Sequence, residues 1–277
     1  MTGCAADADE IVQDTFVRAL ERPPSGDAAP WRTRVAMNLA RDRLRRRRRE
    51  GYKGPFVPSP IDQEELAEER AACPPTPEAR YDLAESATFA FLLALERLSA
   101  RARAVLLLRD VFDWSVAEVA EALSITEANV KVVHHRARRL LEGYDRERGA
   151  SDPARASEAL QSFLAVFAAG DAASLEALFA SDAIALQDAG GEYQAAGVTL
   201  VGPARIAEVL VGIRKNAAPV RAIEPRVLSG APAFVVDLVP TKPRLAPRTV
   251  VACDVDERGL IRRLYMVLAS RKLTRVR

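Results

Sequence analysis

Between residues 131 and 139 the chain carries Lys131, His134, His135, Arg136, Arg138 and Arg139. Ammonium and guanidinium groups at that density neutralise phosphate, and a helix collects them along one side. A second cluster lies upstream, where residues 41–49 hold seven arginines against one acid, Asp42. Both stand in a chain of 277 residues with a formal net charge of only +2, so the cationic character is concentrated in two places. The chemistry this implies is non-covalent contact with a polyanion. His134 and His135 are adjacent with no third ligand near them, which argues against a metal site. Neither a metal nor a cofactor is expected.

The elements that must position the second cluster can be read locally. Ser115 with Glu118 three residues on forms a capping box. Val116, Val119, Ala120 and Leu123 then recur at helical spacing. Ser124, Ile125 and Thr126 make a turn, Thr126 is placed to cap the next helix, and Glu127 suits the positive end of its dipole. In that helix Val130, Val133, Ala137 and Leu140 are spaced to face a core. A scaffold helix, a tight turn and a basic amphipathic helix suit insertion into a DNA major groove. The other reading is a helical hairpin whose charged face is merely solvated.

The rest of the chain divides around this feature. Residues 8–20 predict an amphipathic helix with Ile11, Val12, Phe16 and Leu20 on one stripe and acids early, and a second helix runs over about 30–48. Residues 50–77 are rich in proline and glycine and predict a mostly extended linker, with 62–71 either a short acidic helix or a solvated run. Helices resume over 83–98 and from 99 onward. Beyond a polar joint at 146–153 the pattern changes. Helices are expected over 156–169, 172–180 and 202–215, and strands over 183–187, 220–228, 233–239, 249–255 and 260–268. Helices first and antiparallel strands later predict an α+β domain. Three widely spaced cysteines, Cys4, Cys73 and Cys253, fit free thiols in a reducing compartment. No apolar run reaches the roughly 20 residues of a membrane span, no signal peptide opens the chain, and a cytoplasmic location without a membrane partner is expected.

The two helical blocks resemble a known family. DADEIVQDTFVRALE followed by WRTRVAMNLARDRLRRRRR resembles conserved region two of bacterial extracytoplasmic-function sigma factors, of the sigma-70 family. ALERLSARARAVLLLRDVFDWSVAEVAEALSITEANVKVVHHRARRLL resembles their region four, and the C-terminal part resembles a SnoaL-like domain, a cone-shaped sheet packed by helices. The resemblance implies a multidomain chain: two all-α sigma domains over 1–50 and 78–145, a proline-rich linker over 51–77, and an α+β SnoaL-like regulatory domain over 154–277. It implies core RNA polymerase and promoter DNA as partners. Asp9, Glu10, Gln13, Asp14 and Phe16 would dock on the polymerase. Asn38 would contact an unstacked base of the downstream promoter element, with Arg41, Arg43 and Arg45 on phosphates. At the upstream element Thr126, Lys131, Arg136 and Arg139 would contact phosphate, and Glu127, Asn129, Val130 and His134 would contact bases. Arg138 would pair with nearby acids.

Two departures from the family pattern carry expectations. The chain opens almost on the acidic helix, so region two is expected to be N-terminally truncated, leaving Ile11, Val12 and Phe16 uncovered. In the subgroup with a fused SnoaL-like domain, a DGGGK-like turn and an NPDK-like motif recur. Here they are degraded to Asp188-Ala189-Gly190-Gly191-Glu192 and Ser270-Arg271-Lys272-Leu273. The expected function is that of a sigma factor modulated in cis, without enzymatic activity and with room for a small ligand in the C-terminal domain. The alternatives are a DNA-binding regulator unable to activate polymerase, or a SnoaL-like enzyme with a vestigial sigma half. An enzyme would need an acid–base pair inside the cone, and Asp182, Asp188, Asp237 and Asp254 are the candidates, since no histidine follows His135.

Overall fold

The computed structural model describes residues 1–23, 28–72, 88–148 and 152–277. The chain forms two units, Met1–Gly51 with Glu69–Glu147, and Tyr52–Glu68 with Arg148–Arg277. Cys73, the first part of the helix expected over 83–98 and Gly149 of the second joint lie outside the described residues.

The first unit is helical. Helix α1 (Ala5–Glu21) turns Ile11 and Thr15, four residues apart, inward. Helix α2 (Ala28–Glu50) buries Met37, Ala40 and Leu44 at spacings of three and four. After α3 (Gln63–Ala72) come α4 (Phe89–Leu95), α5 (Ala100–Leu106) with a π-helical turn at Leu107–Val111, α6 (Val116–Leu123) and α7 (Glu127–Arg148). Thr88 caps α4 by accepting from Phe91 N, and Ser99 caps α5 by accepting from Ala102 N. One core then forms from Met37, Leu98, Val105, Leu108, Val119, Leu123 and Val130, so α2 shares its apolar face with the later helices. Each large side chain so buried contributes about 1.5–3 kcal/mol. Arg103 is buried with them, donating to Glu96 Oε1 at 2.7 Å and Met1 O at 2.8 Å, and Arg47 donates to Glu96 Oε2 at 3.1 Å.

The second unit holds a six-stranded sheet of order β2-β1-β6-β5-β4-β3: β1 (Phe179–Asp188), β2 (Leu200–Val201), β3 (Val220–Leu228), β4 (Ala231–Leu238), β5 (Arg248–Val255) and β6 (Ile261–Val267). Only β1 and β6 pair in parallel; the other ladders are antiparallel. Ser229 and Gly230 link β3 to β4 with both φ angles positive, the geometry that matches a two-residue hairpin to strand twist. Helix α8 (Pro153–Ala169) starts on Asp152, which accepts from Ala154 N, and stops at Gly170 in the left-handed region. Helices α9 (Ala172–Ala177) and α10 (Pro203–Lys215) complete the layer. Leu160, Phe163, Leu175, Ile206 and Leu210 pack on Ala185, Val251, Cys253 and Leu264 of the sheet. The result is the α+β cone expected of a SnoaL-like domain.

Within the segment read as a mostly extended linker, the short acidic helix is the reading found for 62–71. Residues 52–62 pack into the second unit, and Gln63–Ala72 is helical, because Asp62 Oδ1 accepts from Glu64 N and caps it. The expected helix over 172–180 ends at Ala177, and 179–182 join β1. The two-residue strand β2 was not anticipated.

Candidate nucleic-acid interface

The turn before α7 forms as the residue types require. Glu118 N donates to Ser115 Oγ at 3.2 Å and Ser115 N donates to Glu118 Oε2 at 2.7 Å, closing the capping box. Those hydrogen bonds hold the Glu118 carboxyl below the usual range. Ser124 sits at φ +54, and Thr126 Oγ1 accepts from Asn129 N at 3.2 Å, which starts α7. Val119, Leu123 and Val130 close the core beneath the turn.

That packing fixes which side of α7 faces out. Glu127, Lys131 and His135 are exposed at intervals of four, and Arg136, Arg138 and Arg139 continue the exposed surface. Two expected base contacts are corrected here. Val130 is fully buried, so its side chain belongs to the core. His134 turns to Asp110, with Nε2 2.6 Å from Oδ1, and is engaged there rather than presented outward. Arg138 Nε lies 4.0 Å from the other oxygen of Asp110, the pairing expected of it. Leu140, expected in the core, is exposed, and Leu141 is the partly buried neighbour. His135 is exposed on this row, whereas the resemblance implied His134; its offset of four from Lys131 was the available signal.

Among the exposed positions of α2 are Asn38, Asp42, Arg45, Arg46, Arg48 and Arg49. Arg41 donates to Asn38 Oδ1 at 3.3 Å, and partial burial followed by the neighbouring charges of Arg45 and Arg101 holds its guanidinium below the usual range. Arg45 NH1 lies 3.3 Å from Asp42 Oδ1 at an exposed i, i+3 spacing. Arg43 is corrected from a phosphate contact to an internal tie, since it donates to Glu10 Oε2 at 2.6 Å and lies 3.8 Å from Asp7. Glu10, expected on the polymerase, is therefore engaged by α2. Arg46 and Arg49 extend the Asn38 row and were missed because five consecutive arginines carry no internal period.

Helix α1 keeps Gln13, Asp14 and Phe16 outside, while Asp9 is half-buried. Val12, Phe16 and Leu20 form an exposed apolar row at intervals of four, Phe16 54% and Leu20 82% exposed. The expected uncovering of Val12 and Phe16 is found, but Ile11 is buried because its face of α1 turns inward.

In the second unit the two degraded motifs meet. Asp188 is fully buried and accepts from Tyr52 OH at 2.5 Å, Val57 N at 2.7 Å and Gly190 N at 3.1 Å. Lys272, equally buried, donates to Asp188 Oδ2 and to the carbonyl of Val57. Its ammonium stands 3.1 Å from the centroid of Phe56 and 5.1 Å from that of Tyr52. Ile61 and Ser229 exchange two further hydrogen bonds, and Arg275 and Arg277 pair with Glu65. Asp188 and Lys272 of the two motifs thus hold residues 52–57, while Ser229, Arg275 and Arg277 hold Ile61 and Glu65. Glu192, which replaces the lysine of the first motif, accepts from Ser270 N of the second at 3.2 Å.

The four carboxylates considered for catalysis all have structural partners. Asp182 pairs with Arg262 at 2.8 Å, Asp237 with Arg248 at 2.6 Å, Asp254 accepts from Tyr265 OH at 2.9 Å, and Asp188 is engaged as above. None of them lines the large cavity of this unit. Cys253 is buried, and burial pushes its thiol well up, which disfavours the thiolate; Cys4 is buried too.

Two helical modules, one presenting an exposed basic helix after a capped turn, share this chain with an α+β domain. Comparison with known proteins gives the family. Residues 1–50 match Sigma-70 region 2 and residues 88–141 match Sigma-70, region 4. The chain is 32% identical over 224 residues to the ECF RNA polymerase sigma factor SigJ of Mycobacterium tuberculosis (strain ATCC 25618 / H37Rv), covering 79% of this chain and 69% of that one. It is 36% identical over 205 residues to SigG of Mycobacterium tuberculosis (strain CDC 1551 / Oshkosh), covering 66% of this chain and spanning 55% of the relative's length. The crystal structure of Mycobacterium tuberculosis extracytoplasmic function sigma factor SigJ superposes with a TM-score of 0.66 at 25% identity, over 99% of this chain and 91% of that one. The chain belongs to the extracytoplasmic-function sigma factors of the sigma-70 family. Among the described residues no helix is long and apolar enough to cross a membrane.

Proposed function

We propose that this chain directs core RNA polymerase to promoters, with residues 1–50 and 78–145 as its two sigma domains, 51–77 as the linker and 154–277 as a regulatory domain acting in cis. The observation that carries this reading is the ordered pair of region-two and region-four matches, each presenting an exposed cationic helix. Asn38 and Arg45, joined by Arg46 and Arg49, serve the downstream element. Thr126, Glu127, Lys131, His135, Arg136 and Arg139 serve the upstream one, with phosphate contacts setting the register. Gln13, Asp14 and the exposed Phe16 row offer the polymerase an apolar strip edged by acids, which suits a partner helix. The residues joining the two sigma blocks in sequence are held by Asp188 and Lys272, which supports regulation through the linker. No chemistry is performed by the chain itself, a reading supported by the partnered state of the four C-terminal carboxylates. The C-terminal domain also has room for a small ligand.

Promoter-dependent transcription by purified core polymerase tests this. Stimulation by the full chain is expected, and its size should change when residues 150–277 are removed. No stimulation at any promoter bound by the chain would leave the DNA-binding regulator as the better reading.

A further inference from the structure

Between α8, α10 and the sheet lies a cavity of about 640 Å³, within the range of small-molecule sites. Phe163, Phe167, Ile213, Val236, Val251 and Met266 form its wall. Its lining contains one ionisable side chain, Arg214, and no carboxylate. Arg214 is fixed at the rim. Its Nε donates to Ala168 O at 2.7 Å, and its guanidinium lies over Gly170, where a Cβ would come within 3.1 Å of it. That single bond leaves the two terminal amino groups of the guanidinium without a protein acceptor among the described residues. Val220 and Ile223, also in the lining, are 57% and 45% exposed, so the mouth is apolar as well.

We propose that this cavity binds an anionic amphiphile, with the apolar body among the aromatic and aliphatic wall residues and a carboxylate-like end on Arg214. Charge complementarity selects the class. An apolar body alone would fill the wall, a cationic one would meet Arg214 with no carboxylate to offset it, and an anion gains a charge-assisted, forked hydrogen bond. The cavity holds no acid–base pair, so the occupant is bound and not converted. The proposal deepens the regulatory reading of the C-terminal domain, and its test uses binding rather than transcription, so the two can fail separately.

Calorimetric titration of the full chain with decanoate, 1-decanol and decyltrimethylammonium decides the matter. Decanoate should bind most tightly. Arg214→Gln, an exposed position, should weaken decanoate by about three- to tenfold while leaving decanol within about twofold. Gly212→Phe enters the cavity from α10 at a helical position where a Cβ meets nothing within 4 Å, and should weaken all three by about fivefold or more without lowering the melting temperature. Binding of none of the three, equal binding of decanoate and the ammonium amphiphile, or indifference to Gly212→Phe would each overturn the proposal.

Discussion

Lys272 in the C-terminal unit and Lys131 on α7 carry the same ammonium in opposite surroundings. Lys272 is 2% exposed and meets a carboxylate, a carbonyl and two aromatic faces, all from residues distant in sequence. Lys131 is exposed on a row with His135 and Arg139, and no described residue accepts from it. Removing an ammonium from water costs several kcal/mol, so a buried one persists only where its partners are complete. An exposed one keeps its hydration and can exchange it for phosphate at little cost. The first arrangement holds a segment of the chain; the second is ready for a partner outside it. The same division sorts the arginines of α2, with Arg43 and Arg47 tied to Glu10 and Glu96, and Arg46 and Arg49 exposed.

The sharpest way to break the contrast is to take one charge from the buried pair. Lys272→Met leaves Asp188 buried without its cation and should cost about 3–5 kcal/mol. Urea unfolding followed by circular dichroism would read the loss, and cleavage within residues 52–62 by added protease should accelerate. The double change Asp188→Asn with Lys272→Met should recover much of the stability, since the uncompensated charge is gone. A loss below about 1 kcal/mol in the single variant would mean that water reaches the pair and that it does not hold the linker.

The exposed row should respond in the other coordinate. Lys131→Ala, Arg136→Ala or Arg139→Ala should each reduce the salt slope of promoter binding by about 1, with stability changed by less than about 0.5 kcal/mol. His134→Ala reverses that pattern. It should lose about 0.5–1 kcal/mol of stability through the Asp110 contact while the salt slope stays put. Fluorescence anisotropy on a promoter fragment across a salt series separates the two. A fall in slope for His134→Ala equal to that for Lys131→Ala would return His134 to the interface.

What could be read in advance follows the range of the signal. The capping box at Ser115 and the cap at Thr126 are written within a few residues, and strand β3 was read with its true bounds. On α7 the reading slipped at its edges. Spacing set Val130 on the core face, and its packing with Val119 and Leu123 agrees, so it is the base contact implied by the resemblance that fails there. Leu140 and Leu141 exchanged places. The Asp188–Lys272 anchor spans 84 residues and unites a turn, a 3₁₀ segment and the linker. A buried lysine leaves no local mark, so the pairing of the two motifs through Asp188 and Lys272 is visible only in three dimensions. Helix α3 was half-read, because its acids resemble a solvated run until Asp62 is seen to cap it.

Between these extremes lies the cross-strand pair of Asp237 on β4 and Arg248 on β5, which are directly opposite in register. Arg248 donates to both carboxylate oxygens, at 2.6 Å and 3.0 Å, and to Val276 O at 2.9 Å. The hydrogen bonds from Arg248, opposed by partial burial, hold the Asp237 carboxyl below its ordinary value. A depressed folded-state value means that the stabilisation is fully present above the unfolded-state value and is lost as pH falls through the folded one. About a third of each side chain is exposed, so screening keeps the contribution near 0.5 kcal/mol. Asp237→Asn should therefore melt slightly below the parent at pH 7, with the gap closing as the pH falls below about 4. Added salt should narrow the gap at pH 7, whereas the cost of Lys272→Met should barely respond to it. A gap that persists in acid would show that shape rather than charge joins these strands, and the pair would then belong with the packing of the sheet.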